Sequence, residues 1–197
     1  FNITRLLKKG NNRLAVKVFR YSDGSYLEGQ DYWKYSGIER SVYLYARPES
    51  RVKDFRMTSE LVNNYKDGEL KLDVLLHRPK TGQTVEVKVL DANGVIYRQK
   101  KTTASAADTL FALQQQFPRV RAWNAETPHT YTLVVNTYDA QGKSLESFTH
   151  LFGFRTVEMK NGMQLINGKA VLFKGVNRHE HDAHKGRTIS TTSMIQD

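Results

Sequence analysis

The middle of the chain alternates between apolar and polar residues with the period of a β-strand. One run places Leu70, Leu72 and Val74 on a single face, as expected for a strand with one buried side. The same alternation predicts strands near residues 51–60, 69–77, 84–90, 94–99, 108–116, 130–138 and 145–154. Seven short strands within about a hundred residues are typical of an immunoglobulin-like β-sandwich, which we assign to residues 48–155.

The segments between these strands contain residues that favour chain reversal. They read Lys66-Asp67-Gly68, Thr81-Gly82, Asp91-Ala92-Asn93-Gly94 and Asp139-Ala140-Gln141-Gly142. Glycine and asparagine tolerate the positive φ that tight turns require, and aspartate caps its own turn. We therefore expect each segment to join two neighbouring antiparallel strands.

Two further strand-like segments precede the predicted sandwich. Leu14–Phe19 and Arg40–Ala46 both alternate and contain many β-branched or aromatic residues, and the polar segment Tyr21–Ser25 between them predicts a turn. Two or three strands cannot bury both faces of a sheet. We therefore expect residues 1–47 to be the last part of a larger β-domain.

Residues 156–197 predict the opening of a βα repeat. Leu165–Lys169 has the composition of a tight hairpin turn that leads into a strand at Ala170–Val176. Residues 188–197 carry the capping residues and the first apolar positions of a helix. A strand, a loop and a helix start are the first unit of such a repeat.

The loop after that strand holds the densest group of titratable side chains in the chain. His179, His181 and His184 lie there together with Glu180 and Asp182. Histidines at this spacing could hold a divalent metal ion, although a third ligand set is not defined by the pattern. One hypothesis is therefore a metal-dependent hydrolase, which would contain stoichiometric zinc.

Composition excludes several classes of protein. The 197 residues include 39% hydrophobic and 25% charged side chains, an ordinary globular balance. The absence of cysteine excludes disulfides and cysteine-based sites. No run reaches the ~18 apolar residues of a membrane span, so we expect no membrane partner.

No export leader precedes Phe1, and the chain starts on a patterned segment, so we expect a piece of a longer protein. The compartment stays open between cytoplasm and periplasm.

The net charge of +10 does not indicate a nucleic-acid partner. Basic residues exceed acidic ones in each of the three segments, and the longest basic runs are pairs such as Lys8-Lys9 and Lys100-Lys101. Nucleic-acid binding proteins concentrate their positive charge on one face or stripe. We therefore expect a solvated surface and no nucleic acid.

Motifs along the whole chain resemble the large bacterial β-galactosidases of glycoside hydrolase family two. The first segment contributes Asn12–Val16, Tyr21–Glu28 and Asp31–Arg40, which resemble the end of the family's sugar-binding jelly-roll domain. The middle contributes Trp123–Pro128 with Tyr131, and the last segment contributes Gly153–Arg155, Asn167–Lys169 and Gly175–His181. These last motifs resemble the entry into the family's catalytic (β/α)8 barrel.

The resemblance implies a mainly β chain in three parts. Residues 1–47 would be the last strands of the jelly-roll, residues 48–155 the immunoglobulin-like sandwich and residues 156–197 the first strand of the barrel. It also implies a retaining glycosidase, which uses two carboxylates about 5 Å apart. In the family both are glutamates on later barrel strands, so neither is in this chain, and Glu180 occupies neither position. We therefore expect the chain alone to be inactive.

The resemblance assigns substrate contacts to two residues. His179 would contact the galactosyl unit near the transition state, in a loop on the face of the barrel that forms active sites. Asp23 would bind galactose hydroxyls and a sodium ion, for which an exposed carboxylate is a suitable ligand. The parent enzyme would also use magnesium, with ligands beyond this chain, and would be a homo-oligomer.

Other interpretations of the same residues remain open. Asp23 could stabilise only its own turn, and Trp33 and Trp123 are expected to pack in a core or between domains rather than stack on sugar. The loop has Asp182 where a second histidine often follows His181 in the family, which weakens a binding role for that edge.

A different class of protein is also open. The chain could be a carbohydrate-binding or adhesion β-sandwich with no catalytic parent, in which case the reading frame would end near Asp197. Within the family, β-glucuronides and β-mannosides are alternative substrates.

Overall fold

A computed structural model describes residues 1–28, 36–38, 41–186 and 188–196. The chain forms two compact units. The smaller unit contains Phe1–Tyr45 and Gly175–Asp197, and the larger one contains Ala46–Lys174. Trp33, Arg40 and most of the motif Asp31–Arg40 lie outside the described residues.

The larger unit contains ten strands. They are β1 (Arg51–Val62), β2 (Asp67–His77), β3 (Thr84–Asp91), β4 (Gly94–Thr102), β5 (Leu110–Phe117), β6 (Tyr131–Tyr138), β7 (Ser144–Phe152), β8 (Val157–Lys160), β9 (Met163–Ile166) and β10 (Lys169–Ala170). The first seven match the seven predicted strands in order and position.

The first seven strands form two antiparallel sheets that pack as a sandwich. One sheet has the order β1-β2-β5 and the other the order β4-β3-β6-β7. Tyr131, at the start of β6, accepts a hydrogen bond from the backbone N–H of Arg121 at 2.9 Å through its hydroxyl oxygen. Such a tyrosine contact to the chain just upstream is a hallmark of immunoglobulin-like folds, and the prediction for the middle of the chain is confirmed.

Alternation along each strand explains where the core lies. In β2, Leu70, Leu72 and Val74 are at most 1% exposed, whereas Lys71 and Leu75 between and beside them face outward. In β3, Val85, Val87 and Val89 are buried in the same way. Because side chains in a strand point alternately to opposite faces, one face of each sheet is removed from water.

Phe154 closes the core at the point where the chain leaves β7. Its side chain is fully buried, and its ring lies 5.1 to 5.6 Å from the rings of Tyr131, Phe152 and Phe117. A Cβ atom on Gly68 would lie 2.6 Å from the Phe154 ring. Glycine at this position in β2 is therefore required for the close approach of the ring.

The outer edge of β1 is occupied by side chains from the rest of the sandwich. Glu146 of β7 accepts a hydrogen bond from the Val52 N–H at 2.8 Å, and Arg47 donates to the Val52 carbonyl at 2.5 Å and to Glu146 at 2.8 Å. Near the other end of the strand, the Leu61 N–H donates to Thr156 Oγ1 at 3.0 Å. Backbone groups that an edge strand would otherwise present to water are therefore paired.

Glu86 is a carboxylate on the outward face of β3, yet its side chain is 0% exposed. It accepts hydrogen bonds from Arg98 at 2.6 Å, Asn136 at 3.1 Å and Tyr138 at 3.0 Å, and Lys88 lies 3.3 Å away. Burial alone would raise the pKa of Glu86, but these hydrogen bonds outweigh it and lower the pKa to about 2.

Turns joining the strands confirm most of the predicted reversals. Gly82, Gly94 and Gly142 all have positive φ. The turn between β1 and β2 was predicted at residues 66–68 and lies instead at 63–66, because three consecutive non-glycine residues adopt the left-handed conformation. These are Asn63, Asn64 and Tyr65, with φ of 51°, 59° and 62°.

A small third sheet follows the sandwich, with the order β10-β9-β8. The predicted hairpin is confirmed, because Asn167 and Gly168 have φ of 52° and 75° between β9 and β10. The predicted strand Ala170–Val176 is wrong beyond Ala170. The Val171 N–H still donates to the Gln164 carbonyl at 3.0 Å, but residues 172–176 have no strand neighbour among the described residues. A barrel strand requires neighbours for its backbone hydrogen bonds.

The described part of the smaller unit contains a 3₁₀ helix (Thr4–Leu6), α1 (Asp23–Leu27) and α2 (Thr191–Gln196). The predicted strands Leu14–Phe19 and Arg40–Ala46 are absent from residues 14–19 and 41–46. Within the described residues neither segment has a hydrogen-bonded neighbour, which a strand needs, and Val16 is 56% exposed.

The helices α1 and α2 each start at a segment that contains serine. The turn predicted at Tyr21–Ser25 is instead the start of α1, where Ser25 Oγ accepts a hydrogen bond from the Ser22 N–H at 3.1 Å. The helix start predicted after residue 188 is confirmed, with Ser190 Oγ accepting from the Ser193 N–H at 3.2 Å. Where the chain is described, none of its helices has the length and apolar character needed to span a membrane.

Replacing the Glu86 carboxylate should destabilise the sandwich in a pH-dependent manner. At pH 7, Glu86→Gln leaves the surrounding cations without their counter-charge, and we expect a loss of about 2 to 4 kcal/mol in the free energy of unfolding. The folded pKa is about 2 and the ordinary value 4.5, so this stability is present above pH 4.5 and is lost as the pH falls towards 2.

Urea unfolding at several pH values measures this difference between wild type and variant. The free energies of unfolding of the two proteins should converge as the pH approaches 2. A difference between them that stays constant across this range would contradict an ionised Glu86 network.

Candidate functional site

The histidine loop is shaped by Asp182. Its Oδ1 accepts hydrogen bonds from the backbone N–H groups of His184 and Lys185 at 2.8 and 2.9 Å. These backbone hydrogen bonds lower the pKa of Asp182. Asp182 and Gly186 also exchange two backbone hydrogen bonds of 2.6 and 3.0 Å. Asp182 therefore forms the turn at the end of the loop, which explains an aspartate at this position in place of a histidine.

His179 and His181 lie on the exposed part of the loop, next to a charged pair. Arg178 Nε lies 3.6 Å from Glu180 Oε1, and both side chains are partly exposed. The carboxylate of Glu180 is thus held beside a guanidinium. Such a surface ion pair contributes little to stability.

The loop does not assemble a metal centre from the residues described. No group of three or more histidine or acidic side chains that could hold a metal ion occurs in the described ranges. The one aspartate in the loop, Asp182, already binds two backbone N–H groups. The hypothesis of a zinc hydrolase therefore gains no support from the geometry.

Asp23 is the first residue of α1 and its side chain is exposed. The side chains of Ser22 and Ser25 form the capping box at the start of this helix. Among the described residues no hydrogen bond or ion pair engages the Asp23 carboxylate, whose oxygens can accept from a ligand. Asp23 and His179 are distant in sequence but belong to the same compact unit.

Three of the sequence motifs meet at one junction in the larger unit. The backbone N–H of Trp123 donates to the Phe154 carbonyl at 2.9 Å. A Cβ atom on Gly153 would lie 2.6 Å from Trp123 Cβ, so only glycine fits there. The guanidinium of Arg155 lies over the Trp123 ring at 4.6 Å. This face of the indole is covered, in agreement with the packing role expected for Trp123.

Asn167, the first residue of the motif Asn167–Lys169, connects this motif to Trp123 by a hydrogen bond. Its Nδ2 donates to the Trp123 carbonyl at 3.0 Å, and its Oδ1 accepts from the Thr156 N–H at 3.0 Å. Its backbone N–H donates to the Thr156 carbonyl at 2.9 Å. The side chain thus links the sandwich to the hairpin from which the chain continues towards His179.

Tyr65 makes a second connection that the sequence pattern did not reveal. Its hydroxyl donates a hydrogen bond to Glu158 of β8, which raises the pKa of Tyr65. A Cβ atom on Gly168 would lie 2.6 Å from the Tyr65 ring, so the hairpin glycine lies directly against the ring. The only sequence signal was the asparagine pair before Tyr65, which favours a left-handed turn.

An open cleft of about 560 Å³ lies between the edges of β1 and β7. Its walls include Thr58, Glu60, Trp123, His150 and Leu151. The cleft combines hydroxyl, carboxylate and imidazole groups with apolar surface. It was not predicted, because its residues come together only through the packing of two sheets.

Comparison with known proteins decides the family. Residues 50–155 match the family described as "Glycosyl hydrolases family 2", residues 1–48 match its sugar binding domain and residues 157–197 match its TIM barrel domain. The chain belongs to glycosyl hydrolase family 2. The predicted resemblance and the mainly β fold class are confirmed.

Relatives in family 2 include several enzymes named β-galactosidase. The chain is 43% identical to that of Priestia megaterium and 38% identical to that of Lactobacillus delbrueckii subsp. bulgaricus, in both cases over the whole of this chain. It spans only about a fifth of the length of these relatives, 20% and 19% respectively.

Solved structures of β-glucuronidases share the fold. The enzyme of Ruminococcus gnavus in complex with D-glucuronic acid has a TM-score of 0.69 and 27% identity, over 85% of this chain and 27% of that one. β-Glucuronidase 3 of Bacteroides uniformis has a TM-score of 0.71 and 23% identity, over 85% of this chain and 20% of that one.

A second asparagine with the same backbone conformation allows the contribution of the Asn167 side-chain hydrogen bonds to stability to be measured. Asn161 has nearly the same φ, 51°, in the preceding turn and also precedes a glycine, but its side chain is exposed. We expect Asn167→Ala to destabilise the chain by about 1 to 3 kcal/mol more than Asn161→Ala, because it leaves partly buried backbone groups without partners.

Chemical denaturation of both variants provides the measurement. Equal losses for the two alanine substitutions would show that the side-chain bonds of Asn167 add nothing at the junction.

Proposed function

We propose that this chain is part of a retaining enzyme that hydrolyses terminal β-D-galactosides. The observation that supports the proposal most strongly is the 43% identity to the Priestia megaterium β-galactosidase over the whole length of the chain. Retaining glycosidases use two carboxylates, which we expect on barrel strands beyond these residues. The chain would then contribute substrate contacts and their support, and not the bond-breaking groups.

Asp23 and His179 are the residues that we propose to touch the sugar. An exposed carboxylate is a strong acceptor for hydroxyl groups. An imidazole in a loop at the end of a barrel strand can donate to a hydroxyl as charge develops at the anomeric carbon. Asp182 would shape the end of the loop without touching substrate.

The charge of Asp23 favours a neutral sugar over a uronic acid. A glucuronide carries a carboxylate on the sugar, which would be repelled by a second carboxylate in the same pocket. Galactose presents only hydroxyl groups at the corresponding positions. The proposed substrate class is therefore a β-galactoside rather than the glucuronides of the enzymes with solved structures.

Asp23 is also the residue that we propose as a sodium ligand in the whole enzyme. Its carboxylate is exposed on α1 and is the type of hard oxygen donor that such an ion prefers. A single carboxylate does not complete a site, so the other ligands would come from elsewhere in the enzyme. The magnesium implied by the family would be bound outside the described residues.

The isolated chain should not hydrolyse a β-galactoside. Neither of the two required carboxylates is assigned to it, and Glu180 is paired with Arg178. Incubation of the purified chain with a nitrophenyl β-galactoside should release no nitrophenol above the buffer blank, and protein-dependent turnover would contradict the proposed division of roles.

A chimera tests the contribution of Asp23 to the whole reaction. This chain would replace the matching residues of the Priestia megaterium β-galactosidase. The chimera should hydrolyse a nitrophenyl β-galactoside in preference to the β-glucuronide, and Asp23→Asn should lower kcat/KM by about 10- to 100-fold through lost hydrogen bonds to substrate.

Asp73→Asn is the matched control, since Asp73 lies on the outward face of β2. It removes the same charge and should leave kcat/KM within about twofold, as substitutions away from the site usually do. A preference for the glucuronide, or equal effects of the two substitutions, would overturn the proposal.

A further inference from the structure

The outward face of the β4-β3-β6-β7 sheet concentrates positive charge. Alternation places Lys88 on this face of β3 and Arg98 and Lys100 on the adjacent strand β4, in register with Lys88 and Glu86. On these four strands, all of them described, Glu86 is the one acidic side chain that faces outward with them. We call Lys88, Arg98, Lys100 and Glu86 the basic face.

The three cations converge on one carboxylate. Lys88 Nζ lies 3.3 Å, Arg98 Nη2 2.5 Å and Lys100 Nζ 3.4 Å from an oxygen of Glu86. Three positive charges around one negative charge leave a local surplus. The three cations repel one another, so the cluster is more stable when a further anion approaches it.

The surplus is accessible to a partner. Arg98 and Lys100 are 56% and 55% exposed, whereas Glu86 is fully covered by its neighbours. The carboxylate is therefore on the inner side of the cluster, and Arg98 and Lys100 are exposed members of it. An incoming group would meet cations and not the carboxylate.

The chemistry of the cluster also indicates the kind of anion. The donors already bind a carboxylate, Glu86, through a guanidinium and two ammonium groups. Tyr138, the aromatic side chain beside them, has Lys100 over its ring at 5.9 Å and donates its hydroxyl to Glu86. Lys100 therefore occupies one face of this ring, which disfavours stacking of a nucleic-acid base there.

We propose that the basic face is a docking surface for an acidic protein segment that carries several aspartate or glutamate side chains. A sheet face is flat and suits a polypeptide surface better than a small anion. A second copy of this chain does not fit, because its net charge of +10 has the same sign as the face. This inference is independent of the proposed glycosidase activity.

Titration of the chain with a hexaglutamate peptide, followed by amide chemical shifts, tests the proposal. Shifts should centre on β3 and β4, and a hexaglutamine peptide should cause none. The double variant Arg98→Gln/Lys100→Gln should lower the affinity by about fivefold or more, and the equally charged control Lys53→Gln/Lys143→Gln by less than about twofold.

A third variant tests whether removing a negative charge from the basic face raises the affinity for hexaglutamate. Glu86→Gln removes the internal counter-charge, so it should raise the affinity for hexaglutamate although it destabilises the fold. A purely structural ion-pair network predicts the loss of stability without the gain in affinity.

Three results would overturn the proposal. Equal losses for the two double variants would show that overall charge, not the basic face, attracts the peptide. An unchanged affinity in Glu86→Gln would show that the cluster is not the binding surface. Tighter binding of a DNA duplex than of hexaglutamate, with the same dependence on Arg98 and Lys100, would identify the wrong class of partner.

Discussion

The packing of Phe154 against Gly68 is the contact on which the rest of the larger unit depends. The ring fills the end of the sandwich beside Phe117, Tyr131 and Phe152, and this position fixes where the chain leaves β7. The residues on either side of Phe154 both contact Trp123. Gly153 lies against the Trp123 side chain, and Arg155 covers the Trp123 ring. One buried aromatic side chain thus orients the start of the next segment.

This arrangement separates the chemistry of the chain from its support. The side chains proposed to meet the sugar, Asp23 and His179, are exposed on short local structures. The residues that hold neighbouring segments in place are partly or fully buried and satisfy one another through hydrogen bonds, as Asn167 does for Trp123 and Thr156. A binding group must remain available to its ligand, whereas a supporting group is useful only when its bonds are already made.

Prediction from sequence succeeded where the physical partners lie within the same segment. The seven sandwich strands were predicted because alternation is a local pattern and each strand has its pairing partners within residues 51–152. Leu14–Phe19 has the same pattern, but no neighbouring strand pairs with it among the described residues. The left-handed Asn63–Tyr65 turn was misplaced because Tyr65 is held there by Glu158 and Gly168, contacts about a hundred residues away in sequence. At the candidate site, the role of Asp182 was missed because its side chain binds backbone groups, which a residue pattern does not display.

The paired outer edge of β1 has a consequence for how this sandwich behaves among its own kind. Free edges of sheets are templates on which another chain can add a strand, and such addition leads to fibres. Glu146 and Arg47 already occupy the backbone groups of Val52, and Thr156 those of Leu61. At Val52 and Leu61, the ends of β1 therefore offer no free backbone groups to which another chain could add a strand.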